Sequence, residues 1–210
     1  MEGTNRVKAI ELLLVAAFIV VATVAIIVIL PKAAPASGAA GGEAQVIKQT
    51  AAGPLTTADQ DFLFKIRQAG LWEIPSGNMA QTKSNNQKVK EVGRILAADH
   101  QKLDEQVLAL AAQLGVVLPS EPSESQKQWL AEETAAAPGE EFDRVFANRL
   151  RLAHGNVFAT IAQVRAGTRN DQIRAFAETA NSFVLKHMRL LESTGLVDHS
   201  QLPQPPAPAK

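Results

Sequence analysis

Apolar side chains recur at three- and four-residue spacing in four stretches of this chain, the pattern of helices that bury one face. The first stretch reads Phe62, Ile66, Ala69, Glu73 and, after a break, Ala80. The second reads Val89, Val92, Leu96, His100, Leu103, Val107 and Leu110, and the third Phe142, Phe146, Leu150, His154, Val157, Ile161 and Val164. The fourth reads Ile173, Phe176, Ala180, Phe183, His187 and Leu190.

Helix-end chemistry brackets each stretch. Thr57 with Gln60 predicts a capping box that opens a helix running to about Ala80, and Ser84 with Gln87 predicts the same for a helix ended by Gly115. Pro138-Gly139 precedes a third helix from about Glu140 to Ala166, stopped by Gly167. Asn170 caps a fourth that ends before Gly195. A short amphipathic piece, SQKQWLAEETAA, lies in the crossover between the second and third. Two short connections and one longer one predict an up-down four-helix bundle over 56–196.

The N-terminal pattern is different. Residues 12–30 read LLLVAAFIVVATVAIIVIL, without a charge. A run of this length matches the ~20 residues that cross a ~30 Å hydrocarbon core as helix. Arg6 and Lys8 on its N-terminal flank favour keeping residues 1–11 in the cytoplasm and sending the rest outward. The expected partner is therefore the lipid bilayer, through a single-pass anchor with an extracytoplasmic domain. Ala34-Pro35-Ala36 leaves open a cleaved signal peptide, which would export the same domain. Residues 31–55 are rich in Ala, Gly and Pro and read as a linker, and the proline-rich end over 197–210 reads as a disordered tail.

Composition narrows the classes. Abundant alanine with no Tyr and few other aromatics leans all-α. Basic and acidic side chains balance at 21 each, which gives no electrostatic footprint for nucleic acid. The absence of cysteine removes disulfides, thiolate metal sites and a lipid-modified N-terminal Cys.

The polar residues that fall on the core-facing stripes carry the candidate chemistry. Each of the four helices contributes one: Glu73, His100, His154 and His187. Buried polar groups need partners, and four converging from four helices satisfy one another or coordinate a metal. Imidazole and carboxylate suit one divalent transition ion, Zn, Fe, Mn or Cu. The alternative is a hydrogen-bonded structural layer. Pro75 and Gly77 follow Glu73, and a kink there would aim it inward or carry it away. Chain direction puts Glu73 and His154 on one level, with His100 and His187 offset by several ångströms. Asp99 lies about 100° around its helix from His100 and reads as a solvated or helix-pairing charge. His199 reads as a solvated tail residue, and Trp72 and Trp129 as packing residues on the bundle flank and the crossover.

The runs DFLFKIRQAGLWE, VKEVGRILAADH, FDRVFANRLRLAH and FVLKHMRLLE, in this order, resemble the bacterial family called domain of unknown function 4142. The resemblance covers about 57–194, with family-like positions at Glu73, Asp99-His100, Phe142-Asp143, His154 and His187 and a departure at Pro75. It implies a ferritin-like bundle in the cell envelope, without an established reaction. Ferritin-like oxygen-handling proteins use Glu-x-x-His pairs. Here Ala97, Arg151 and Val184 stand three residues before the bundle histidines, against a di-iron site. The functional expectation is a membrane-anchored helical-bundle protein holding a single transition-metal ion. A metal-free structural or interaction module and an oxidoreductase of the ferritin-like class are the alternatives, and no catalytic residue is assigned.

Overall fold

The computed structural model describes residues 44–203. The expected anchor at 12–30, most of the linker before it reaches the domain, and the end of the tail lie outside these residues. No helix among the described residues is long and apolar enough to cross a membrane.

The chain is mostly helical. A short antiparallel hairpin, β1 (Val46–Thr50) and β2 (Gly53–Thr56), leads into α1 (Thr57–Lys83), α2 (Gln87–Leu114), α3 (Glu124–Ala135), α4 (Glu140–Gly167) and α5 (Asp171–Glu192). A single 3-10 turn, His199–Gln201, follows. The four long helices pack in a closed cycle, α1 on α2, α2 on α5, α5 on α4 and α4 on α1, while α3 lies over α1 and α4.

The predicted stripes lie along the buried faces, except that Leu110 and Val157 are half-buried and α5 buries Val184 and Leu191 in place of Phe183 and Leu190. Phe62, Val92, Leu96, Phe142, Phe146, Leu150, Ile161, Ile173 and Ala180 are fully buried. The predicted caps shift by small steps. α1 opens on Thr56, whose hydroxyl accepts from Asp59 N–H while the Asp59 carboxylate accepts from Thr56 N–H, so the capping box sits one residue earlier than Thr57. α2 opens on Asn86 rather than Ser84, because its amide oxygen accepts from both Lys88 and Val89 N–H. Ser84 ends α1 instead. Gly115 closes α2 in the left-handed conformation, as predicted, and α4 runs through Gly167 to Thr168.

Two regions differ from the sequence-based expectation. Residues 46–55 fold as the hairpin rather than as linker. A β-branched start, Val46-Ile47, and a turn with Gly53 at positive φ support it, and Leu55 is buried against the bundle end. Asn170 Nδ2 donates to Thr50 Oγ1 and Gly53 O at 3.1 Å each, and Lys48 Nζ donates to Leu114 O at 2.8 Å. The hairpin is thereby tied to α5 and α2. At the C-terminus, the tail is held on α4 for its first few residues. Asp198 N–H donates to Asn148 Oδ1 at 2.7 Å, and Asn148 Nδ2 donates to Leu196 O at 3.1 Å.

Pro75 sits inside α1 without ending it. Just beyond, α1 and α2 come close enough that a Cβ on Gly77 would overlap the Gly93 carbonyl oxygen, and one on Gly93 would lie 2.6 Å from Ala80 Cβ. Only glycine permits this approach.

The apolar interior divides in two. One cluster holds Phe62, Leu63, Ile66, Leu103, Val107, Ile161, Ile173 and Phe176 next to the hairpin end. The other holds Trp72, Val92, Leu96, Phe142, Phe146, Leu150 and Leu191 toward α3. Along α1, α2 and α4 the polar interruptions fall between the members of the two clusters.

Candidate metal centre

All four polar interruptions reach the same place. His100, His154 and His187 are 4, 1 and 0 % exposed, and Glu73 is 2 % exposed. Their ring centroids lie 5.1 Å (His100–His187), 5.1 Å (His154–His187) and 5.9 Å (His100–His154) apart. One ring nitrogen from each histidine lies within 4.8 Å of the other two. Glu73 Oε2 approaches His100 Nε2 at 2.9 Å and His154 Nε2 at 3.4 Å. The offset expected between the helices is absorbed by side-chain reach, and Pro75 leaves Glu73 pointing inward.

The partners of the outer nitrogens fix the tautomers. His154 Nδ1 lies 2.8 Å from Leu150 O, a carbonyl that can only accept, so Nδ1 carries the proton. His187 Nε2 lies 3.1 Å from Asp99 Oδ2, which also accepts from Lys186 Nζ at 2.6 Å. An ionised Asp99 accepts from His187 Nε2–H in the same way. These assignments leave His154 Nε2 and His187 Nδ1 as lone pairs facing one another at 3.0 Å. Two acceptors do not attract each other, but two nitrogens ligating one ion at ~2.0–2.1 Å sit about 3–3.4 Å apart. Metal-bound histidines characteristically donate their other N–H to a carbonyl or carboxylate, as both do here.

His100 has no hydrogen-bond partner at either nitrogen, nor has Glu73 Oε2: their 2.9 Å approach is off the line that a hydrogen bond requires. The centre thus has unshared donor atoms from α1 and α2 beside the preset pair from α4 and α5.

Burial lowers the basicity of His154, with the charge of Glu73 only partly opposing it, and burial together with the neighbouring rings of His154 and His100 holds His187 neutral. Neutral imidazole is the ligating form. Burial works to raise the pKa of Glu73, but His100 and His154 outweigh it and hold the carboxyl below its usual range.

Of the two readings of Asp99 the helix-pairing one holds: it is 5 % exposed and meets Lys186 and His187 of α5, and its contact with the His187 ring is what the sequence did not show. The 100° turn from His100 points Asp99 to the far side of the His187 ring, where α5 comes against α2. The sequence reading missed Glu133 on α3, which is fully buried, with its pKa pushed up to about 8 by burial in the first place and by the charges of Glu73 and Glu132. His199 is exposed, as expected. Trp72 is fully buried in the core and meets Trp129 of α3 at 5.4 Å between ring centroids.

The fold has solved counterparts at low sequence identity. The structure titled CopM in the Cu(II)-bound form aligns with a TM-score of 0.56 and 14 % identity, covering 65 % of this chain and 94 % of that one. CopM in the Cu(I)-bound form gives 0.55 and 15 % over the same shares. A conserved hypothetical protein, rv2844, from Mycobacterium tuberculosis gives 0.52 and 14 %, covering 73 % of this chain and 98 % of its own. At these identities the likeness is one of fold. No curated protein matches the sequence. The family model described as Domain of unknown function (DUF4142) matches residues 44–193, which takes in the hairpin and every residue of the centre, and the chain belongs to that family.

Proposed function

We propose that the domain binds a single transition-metal ion between Glu73, His100, His154 and His187, on a bundle of ferritin-like, up-down type tethered outside the cytoplasm by residues 12–30. The observation that supports the ion most directly is the pair of inward lone pairs on His154 and His187, each with its outer N–H committed to an acceptor. The unshared donors of His100 and Glu73 complete a set of three nitrogens and one oxygen.

This donor set contains no sulfur, which favours Cu(II) or Zn(II) over Cu(I). The fold likeness to a protein solved in Cu(II)- and Cu(I)-bound forms makes copper the first ion to test. Full-length protein purified without a histidine tag should contain close to one equivalent of ion by elemental analysis. Reloaded with Cu(II), it should give an electron paramagnetic resonance spectrum with nitrogen hyperfine structure, and His154→Ala should remove both signals. A wild-type protein that takes up neither Cu(II) nor Zn(II) at micromolar concentration would overturn the proposal.

A second reading has its own support. The 3.0 Å separation of His154 Nε2 and His187 Nδ1 also fits a hydrogen bond if the His187–Asp99 pair holds one more proton. That reading gives a metal-free structural layer, and the elemental analysis separates the two.

A further inference from the structure

The proposed centre is sealed: none of its four side chains exceeds 4 % exposure, so an ion needs a way in. α3 is the shortest helix of the domain, and Glu133 is its one buried residue. Apart from Trp129, which stacks on Trp72, α3 turns no large apolar side chain into the core, so less apolar burial opposes its lifting than opposes that of the long helices.

Neither Glu133 carboxyl oxygen has a hydrogen-bond partner, and neither has the hydroxyl of Ser76, which is also fully buried. Ser76 lies close enough to the Glu133 carboxyl to lower its pKa, without the geometry of a formed hydrogen bond, and stands one turn after Glu73 on the same side of α1. The nearby cation does not neutralise the acid. Lys83 Nζ donates instead to the backbone carbonyls of Glu133 and Thr134, at 2.9 and 2.6 Å. A structural carboxylate beside a lysine would take the ion pair. This one is left facing inward, toward Ser76 and the Glu73 turn.

We propose that Glu133 and Ser76 form an entry seat for a divalent cation, reached when α3 lifts from α1, from which the ion passes one helical turn to Glu73 and the three histidines. The proposal rests on the metal centre described above. It adds a second, transient site of oxygen ligands on a different helix.

The test is the rate of loading. Metal-free full-length protein is mixed with Zn(II) in competition with a chromophoric chelator, and uptake is followed by stopped flow. Glu133→Gln should slow loading roughly tenfold or more, because an amide offers the entering ion one neutral oxygen where the carboxyl can bind it as a carboxylate. It should leave the final stoichiometry at the wild-type value. Equal rates for wild type and Glu133→Gln would overturn the seat alone, and a lowered final stoichiometry would also overturn it by making Glu133 a permanent ligand. A wild-type chain that takes no Zn(II) and no Cu(II) fails at the earlier step and marks the centre, not the seat, as wrong.

A lock on α3 provides an independent readout. Thr134 Oγ1 and Met79 Sδ are 3.6 Å apart across the α3–α1 contact, and the chain has no cysteine of its own. A Met79→Cys, Thr134→Cys protein should load slowly when oxidised and at the wild-type rate when reduced. Fast loading in the oxidised state would overturn entry through α3.

Discussion

Two buried glutamates on neighbouring helices occupy opposite surroundings. Glu73 projects from α1 into a ring of imidazoles, with His100 Nε2 at 2.9 Å and His154 Nε2 at 3.4 Å, and its carboxyl is held below the usual range. Glu133 projects from α3 among groups that offer it a hydroxyl and further negative charge, and its carboxyl is raised to about 8. Both are at most 2 % exposed, so burial alone does not decide the charge state. The interior tolerates an ionised acid where a donor set surrounds it and keeps an acid protonated where none does. The region around Glu73 therefore favours the carboxylate, whereas the region around Glu133 favours the protonated acid.

The sharpest way to break this comparison is to put a carboxylate where neither environment exists. Leu103 lies three residues beyond His100 on α2 and is 2 % exposed within the apolar cluster. Leu103→Asp should destabilise the domain by about 3–5 kcal/mol, seen as a collapse of the urea midpoint. A variant that melts like wild type would mean that the interior accepts acids anywhere.

The next effect is pH dependence. The Glu133 pKa is raised in the folded state, from an ordinary value near 4.5 to about 8, so the native protein binds this proton more tightly than the unfolded chain. Its contribution is present below the unfolded value and lost as pH rises through the window between the two, a loss of a few kcal/mol by pH 9. Urea titrations at pH 5, 7 and 9 should show Glu133→Gln flattening that decline and exceeding wild type at pH 9. If the two proteins decline in parallel, Glu133 is not the group responsible.

Glu73→Gln should act in the other direction. Removing the charge between His100 and His154 should cost the metal-free protein roughly 1–2 kcal/mol, measured at neutral pH, because two buried rings lose their anion. Stabilisation by Glu73→Gln would place the two acids in the same class and erase the distinction.

The smallest effect belongs to the rim of α3. Arg149 makes a two-point ion pair with Glu132, at 2.6 and 2.9 Å, but both side chains are more than a third exposed. Arg149→Ala should change stability by about 0.5 kcal/mol or less in a thermal melt, since solvent screens such pairs. A larger loss would show that α3 is held by its rim rather than by Trp129 and Glu133.

Most of the bundle was legible in the sequence because helices announce themselves over long windows. The 3–4 spacing of Val92, Leu96, His100 and Leu103, with Gly115 at the end, leaves little freedom. The four site residues were legible for the same reason, as polar exceptions on an apolar face. Asp99 was legible as a helix-pairing charge but not as the partner of His187, because it sits off the stripe and is covered by α5, a contact that no local pattern encodes. Glu133 was hidden by the weak periodicity of α3, whose single buried position carries an acid. The hairpin was missed because its stability comes from long-range bonds: Lys48 to Leu114 and Asn170 to Thr50 join residues far apart in the chain.

The glycine contact between α1 and α2 has a consequence of tolerance. Gly77 follows Glu73 by one turn and Gly93 precedes His100 by two, so the point where the helices touch sets the gauge for the donors beside it. Coordination geometry allows errors of about half an ångström. A single methyl at Gly77 overlaps the backbone of Gly93 and forces a displacement of α1 larger than that allowance. The most fragile specification of the centre is thus written at two positions that carry no chemistry. A variant library scored for ion retention would find its narrowest sequence freedom there, outside the set of residues that any inspection of ligands would select.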